Sequence, residues 1–522
     1  MALKGSKFYT PAAVFIASLF YYVSYANYGF IPSDWGMIVV AAERFLRGEI
    51  FYKDFSILYT PGIYLYTAVA FKYMGVSLSS ATIGWSILRA FNALLIYLVG
   101  AEFVSYRTAL LLPLILWFVP GDLHKGFFVF SVLISMLFLI KMISARRKWF
   151  YVFSGIVAGF LLLLRIDIFG FFIICFVFIE FAKIMIPNKH KSIIGYVEIH
   201  TSFKNIIIFG VGVLLSIFPI ALYLISHDAV KEAYRQTVDY TSTMKSVWFF
   251  LPPASQLLSF DISAAYKYIG LILPFGLYFI VFILVMTIVI KRDIFENDKK
   301  LIIIFLFGCL TLNQVISYPG ISRISQTLAP VLIANVYLTR EYFNDRFKEY
   351  GRKVVRMNKV ALIVLNVMLF TYITITCSIS DPYINGSIFM RLYNRTFLPD
   401  PRLEVYTEYK YADEFNKVID IIRNRTKNDE YVFTFPNNNQ MYHFVTGRKS
   451  LEKYGIGAEY IKSEERQIKV IKLLDEKNVR VIIADLSSGQ WREELAPILD
   501  RYIMKHYKPT QTAGSFTFLV KE

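Results

Sequence analysis

Long apolar runs separated by short basic clusters dominate the chain up to about residue 380. The runs 206–225, 269–290 and 361–376 almost lack charge. A helix needs about 20 residues to cross a hydrocarbon core of ~30 Å, and these runs reach or nearly reach that length. Lipid offers the backbone no water, so only helices or closed barrels can span it. The runs lack the alternation of barrel strands, so helices are predicted.

About eleven spans follow from this reading: 11–27, 81–104, 108–119, 126–143, 150–164, 166–186, 206–225, 269–290, 301–316, 328–338 and 361–377. Basic residues order them. Lys4 and Lys7 put the N-terminus in the cytoplasm. Arg146, Arg147 and Lys148, then Lys189, Lys191 and Lys204, then Lys291, Arg292, Lys299 and Lys300, then the group from Arg340 to Arg356, belong on the same side. That rule holds only if the apolar segment 63–73 lies on the outer membrane face as a surface helix instead of crossing. A long first outer loop, 28–80, results, and the C-terminal region is extracytoplasmic. The apolar stretch 11–26 resembles a signal peptide in its basic start but lacks a convincing cleavage site, so it reads as an uncleaved first span.

Near residue 381 the pattern changes. Charge rises and apolar runs shorten. Residues 412–425 have helical periodicity, with Phe415, Val418, Ile419 and Ile422 on one face. Residues 431–435 and 479–484 read as buried strands, 463–475 and 491–505 as helices, and 516–520 as a last strand. The predicted fold is a polytopic α-helical membrane module, 1–380, followed by a soluble extracytoplasmic α/β domain, 381–522.

Composition agrees with the pattern. Of 522 residues 56% are hydrophobic and only 18% charged. The net charge of +17 does not point to nucleic acid, because the basic residues gather in the loops between spans. Cys175, Cys309 and Cys377 all sit in apolar runs, with neither disulfide nor zinc spacing. Gly455-Ile456-Gly457 lacks the third glycine and the preceding strand of a dinucleotide fingerprint, and no P-loop is present.

Polar groups at the outer span ends carry the candidate chemistry, since ionisable residues in or beside a bilayer are costly. They are Asp34 and Asp54 in the first loop, Asp122, His124 and Lys125 after the third span, Arg165 and Asp167 in a turn between spans, Arg323 in the short turn 318–323, and Arg89 in the outer half of the second span. Carboxylates can take a proton from a hydroxyl. Arginine and lysine can hold a phosphate at a membrane surface. Together these groups suit attack by an acceptor on a sugar attached to a lipid phosphate. Structural alternatives stand beside each assignment. Arg165 and Asp167 can simply pair, Asp122 and His124 can be a solvated loop, and Arg89 can brace the bundle or snorkel. Asp54 can brace its loop, and Ser33 or Asp34 can cap a helix over 35–46.

The run Ser33-Asp34-Trp35-Gly36, the stretch from Ala41 to Phe55 ending Phe51-Tyr52-Lys53-Asp54-Phe55, and Tyr59-Thr60-Pro61-Gly62 resemble the first outer loop of GT-C glycosyltransferases. The likeness is greatest to relatives of the dolichyl-phosphate-mannose protein mannosyltransferases (glycosyltransferase family 39). Gly75 and Arg89 fall where such sequences often carry a glycine and an arginine. The tail, with Val432 to Asn437 and Tyr442 to Arg448, looks like the outer domain of the same group. Two features depart from the pattern: Trp35 follows Asp34 where a second acid is common, and Ser325 and Gln326 follow Arg323.

The resemblance implies a polyprenyl-phosphate sugar donor and a glycan, lipid or protein acceptor. It implies Asp34 as general base, with Asp54 as the other catalytic candidate, and inversion at the anomeric centre. Arg165 and Arg323, with Lys125, are the expected phosphate ligands. No cofactor is assigned, and the question of a divalent metal stays open. The rival readings are a transporter or flippase of lipid-linked sugars, which internal inverted repeats would favour and the sequence lacks, and an inactive scaffold of the same fold.

Overall fold

The structure is a computed structural model that describes residues 2–119, 122–145, 147–185, 195–239, 262–290, 295–317, 321–343, 352–379, 395–436, 439–451, 461–486 and 493–521. The chain divides into two compact units. The first comprises Met1–Val23, Ser86–Ile220 and Trp248–Asp381; the second comprises Ser24–Trp85, Ala221–Val247 and Pro382–Glu522. The second unit therefore gathers the first loop together with the tail, and a cut at residue 380 alone does not separate the two.

Helices run in the order α1 (Ala2–Val23), α2 (Pro32–Leu46), α3 (Gly62–Met74), α4 (Leu78–Ala101), α5 (Tyr106–Ala109), α6 (Leu111–Phe118), α7 (Gly126–Ile143), α8 (Lys148–Leu164), α9 (Ile166–Met185), α10 (Gly195–Ser226) and α11 (Val230–Tyr234). After these come α12 (Ile262–Ile290), α13 (Glu296–Thr311), α14 (Asn313–Ser317), α15 (Ile321–Phe343) and α16 (Arg352–Ile379). Each predicted span coincides with a helix or with a helix pair. By length and composition, six helical segments of the described residues suffice to cross a membrane. The window 202–226 is only 11% buried by protein. Its Phe203, Ile207, Leu214, Leu215 and Phe218 stand exposed. So large an apolar surface requires lipid as its solvent. By contrast, α3 has 13 residues, about 20 Å at the helical rise, and is too short to cross.

Within the first unit the helices are tied where basic residues cluster. Glu102 pairs with Lys141 at 2.6 Å and Lys300 at 3.3 Å. Arg340 donates to the Phe103 carbonyl at 2.8 Å, and Lys183 to the Met142 carbonyl at 2.9 Å. Elsewhere small residues let helices touch. A Cβ at Gly155 would collide with the Phe209 carbonyl, one at Gly159 with Ser216 Oγ, and one at Gly212 with the Val152 carbonyl. Gly155 and Gly159 on α8 thus form a Gly-x-x-x-Gly seam against Gly212 and Ser216 on α10, the small-residue packing that membrane helices use where no hydrophobic effect drives association.

The second unit is built on a five-stranded sheet ordered β4-β3-β5-β7-β6. Two short strands, β1 (Thr396–Leu398) and β2 (Val405–Thr407), precede it and pair with each other. The sheet strands are β3 (Tyr431–Phe435), β4 (Lys449–Ser450), β5 (Val481–Asp485), β6 (Tyr507–Ala513) and β7 (Phe516–Lys521). The first three pair in parallel and the last two form an antiparallel edge. The helices are α17 (Tyr409–Arg425), α18 (Gln440–Thr446), α19 (Glu464–Glu476) and α20 (Pro497–His506). The predicted stripe of α17 is buried, and β5 is a nearly continuous buried apolar run, as a parallel central strand requires. The predicted helix over 491–505 is interrupted: residues 493–495 are helical, Ala496 breaks the run, and α20 begins at Pro497, which occupies its first turn.

The first loop is stitched to the tail within this unit. Tyr406 donates its backbone N–H to the Asn27 carbonyl at 2.7 Å, and Gly29 donates to the Tyr406 carbonyl at 3.0 Å. Leu78 donates to the Arg402 carbonyl at 2.8 Å. Arg402 pairs with Glu43 of α2 at 2.7 Å and lies 4.2 Å over the Phe444 ring of α18. At the crossing of α2 and α18 a Cβ on Gly36 would collide with the Met441 backbone nitrogen. Backbone cannot yield as a side-chain end can, so Gly36→Val must push α2 off α18. It is expected to cost about 1–3 kcal/mol. Thermal unfolding of the purified protein in detergent should register a lower Tm; an unchanged Tm would mean the two helices do not meet at Gly36.

Candidate functional site

Asp34 lies in the first turn of α2, half-buried. The helix begins earlier than the sequence reading held. Pro32 takes the first helical position, Ile31 is the N-cap, and no side chain makes a cap hydrogen bond. Ser33 and Asp34 are therefore not the N-cap. The proline starts the helix because its missing N–H costs nothing there, and the helix dipole favours the Asp34 charge.

Asp54 is exposed and closes its own turn. Its Oδ2 accepts from the Ile50 N–H at 2.8 Å, while its N–H donates to the Ile50 carbonyl at 2.9 Å. Arg44 reaches the Asp54 carbonyl at 3.1 Å. The bracing alternative describes this geometry. Beside it Tyr52 holds φ +67°, an uncommon conformation for a bulky residue. Gln236 clamps that strained loop, donating to the Tyr52 carbonyl at 3.0 Å and accepting from the Ile57 N–H at 3.3 Å.

In the first unit, charges converge at the start of α7. Arg89 is buried on α4 and donates to the Asp122 carbonyl at 2.6 Å, with its guanidinium 5.9 Å from the Tyr22 ring centre. Asn92, one turn along, donates to the Gly126 carbonyl at 2.8 Å. Lys125 pairs with the fully buried Asp122 carboxylate at 2.6 Å. His124 is also fully buried, in the short 3-10 turn Leu123–Lys125. Asp122 and His124 are therefore not a solvated loop. Tyr22, Arg89, Asn92 and Lys125 all line a narrow recess.

One turn further along α7, Phe128 carries the Arg165 guanidinium 3.8 Å above its ring. Arg165 Nε donates to Asp167 Oδ1 at 2.7 Å, and its Nη2 contacts Asp167 Oδ2, a bidentate pair. Gln314 of α14 reaches the same carboxylate at 3.5 Å. This end of the first unit thus holds the cations Arg89, Lys125 and Arg165 with the carboxylates Asp122 and Asp167. Arg323 is in the first turn of α15, not in a loop, and its side chain lies outside the described residues. Among the described residues no group of three His, Cys, Asp or Glu side chains could hold a metal ion.

No family model and no curated protein matches this sequence. Solved structures do match. ArnT from Cupriavidus metallidurans bound to undecaprenyl phosphate superposes with a TM-score of 0.54 at 11% identity, over 98% of this chain and 97% of that one. Its apo state gives 0.54 at 10% identity, over 99% and 98%. The chain has the ArnT fold. The match runs along nearly the whole length of both chains, so helical region and strand-containing tail are shared as one fold.

Several residues that matter to this ArnT-like structure escaped the sequence reading. Glu43, Arg402 and Gln236 are single polar residues whose partners lie far along the chain. His443 and Arg448 fall inside the tail motif that resembled the glycosyltransferase outer domain, but nothing marked them as buried. Both are buried, and burial pushes the His443 imidazole down to about 4, assisted by the Arg44 charge. The unfolded chain therefore binds one more proton than the folded chain between pH 6.5 and about 4, and stability rises with pH across that window. The shift corresponds to about 3 kcal/mol, lost as pH falls through it. His443→Gln removes this titration. Melting curves in detergent should show the wild type losing Tm faster than the variant from pH 6.5 to 4. Parallel pH profiles would place the imidazole in water.

Proposed function

We propose that this protein is an integral-membrane glycosyltransferase that moves a sugar from a polyprenyl-phosphate donor to an acceptor on the outer face of the membrane. The observation that carries the reading is the set of three cations, Arg89, Lys125 and Arg165, gathered at one end of α7 in a fold shared with an undecaprenyl-phosphate-bound protein. Anionic lipid heads sit at that depth of a bilayer, and arginine is suited to hold them because its planar fork matches phosphate oxygens. The proposed orientation follows the basic loops: N-terminus in the cytoplasm, second unit outside.

In the reaction, the Asp34 carboxylate takes the proton of an acceptor hydroxyl. The oxygen attacks the anomeric carbon of the donor and forms the new glycosidic bond. The bond from that carbon to the phosphate oxygen breaks, with inversion, and polyprenyl phosphate leaves. Arg165 and Lys125, with Arg323, stabilise the charge that grows on the leaving phosphate. In Arg165 the pair with Asp167 uses Nε and one Nη and leaves N–H groups for a phosphate. Arg89 braces the Asp122 turn that presents Lys125.

Asp34→Asn keeps the size of the side chain and its place in the first helical turn but removes the base. Transfer from a polyprenyl-phosphate sugar, followed in proteoliposomes, is expected to fall by about a hundredfold or more with unchanged Tm. Near wild-type transfer in that variant would sink the assignment.

A further inference from the structure

A second concavity lies wholly within the second unit, along the C-terminal part of α2 and beside α18 and β4. Its cavity volume is about 390 Å³, within the range of small-molecule sites. Among the described residues, Arg44, Arg47, Arg448 and Lys449 line it, with the carboxylates Glu43 and Glu49. Both acids are already engaged. Arg44 Nε donates to Glu49 at 2.7 Å, and Glu43 receives Arg47 and, at 2.7 Å, Arg402.

The surplus charge rests on Arg448 and Lys449. Arg448 is buried yet held by neutral acceptors: Thr426 Oγ1 at 3.0 Å, Asn428 Oδ1 at 2.8 Å, and the Thr446 and Thr426 carbonyls. Dipoles stabilise its charge without cancelling it. Lys449 lies 5.7 Å from the centre of the Tyr431 ring, and Lys477 lies 5.6 Å from the same ring. Tyr431 and Phe444 give the cleft its aromatic lining, and both ammonium groups sit over the Tyr431 ring. The opposite chemistry is present too, since each Arg–Glu pair offers both donors and acceptors. A simple anion uses donors only. A sugar uses both, and the C–H face of its ring packs on an aromatic side chain.

We propose that this cleft binds an acidic saccharide, one bearing a carboxylate or phosphate, and that this saccharide is the acceptor; the acceptor role rests on the glycosyltransferase reading above, the binding does not. Trigalacturonic acid serves as the acidic probe, with maltotriose and inorganic phosphate as controls. They are titrated calorimetrically into the purified full-length protein in detergent.

Trigalacturonic acid should bind at least about tenfold tighter than either control, and more weakly as salt rises. Arg47→Gln combined with Lys449→Gln changes two exposed side chains. It should weaken that binding by about tenfold or more without lowering Tm. Equal affinity for maltotriose, equal affinity for phosphate, or binding unaffected by the double variant would each overturn the proposal. Wild-type protein that binds the probe but transfers no sugar would leave the cleft intact and remove the transferase reading.

Discussion

A bilayer gives the backbone nothing to bond to, and the arrangement of the first unit follows from that constraint. Helices satisfy their own N–H and C=O groups, so apolar runs such as 202–226 can face lipid with little protein cover. Polar side chains are then confined to helix ends or to internal partners. At one end, Glu102, Lys141, Lys300, Lys183 and Arg340 tie neighbouring helices together. At the start of α7, Arg89, Asp122, Lys125, Arg165 and Asp167 gather around two turns of one helix. The first set lies beside the basic loops. The second is the set proposed to meet a lipid phosphate.

The second unit meets a different demand. Asp34, the proposed base, sits on a segment, 24–85, that has no sheet of its own. Packing against the tail supplies the support. Gly36 lets α2 approach the α18 backbone, Arg402 links Glu43 to Phe444, and the Tyr406 backbone pairs with Asn27 and Gly29. The tail is therefore part of the scaffold that carries Asp34, the proposed base.

Much of this was legible in the sequence because the strongest signals are apolar runs. Helices at the eleven apolar runs, and β3 to the residue, came from hydropathy and periodicity, and the short α3 from the charge of the loops. Where the signal is not apolar, the reading failed. Strand β6 is exposed along most of its length, and its Lys508, Pro509, Thr510 and Gln511 look like a loop. The start of α2 was set at Trp35 because Ser33 and Asp34 are good caps, whereas Pro32 at the first position decided the start. Of the site, the residue types and their span ends were visible. That Asp54 closes a turn, that Asp122 and His124 are buried, and that Glu43 meets Arg402 depend on contacts that no local pattern encodes.

The central claim is that the phosphate of a polyprenyl carrier docks at the start of α7. A cryo-electron microscopy structure of the protein in nanodiscs with undecaprenyl phosphate tests it directly. The account predicts phosphate density within hydrogen-bond reach, about 2.7–3.2 Å, of Lys125 Nζ or the Arg165 guanidinium. Phosphate bound instead beside Glu102, Lys141 and Lys300, at the opposite end of α7, would contradict it.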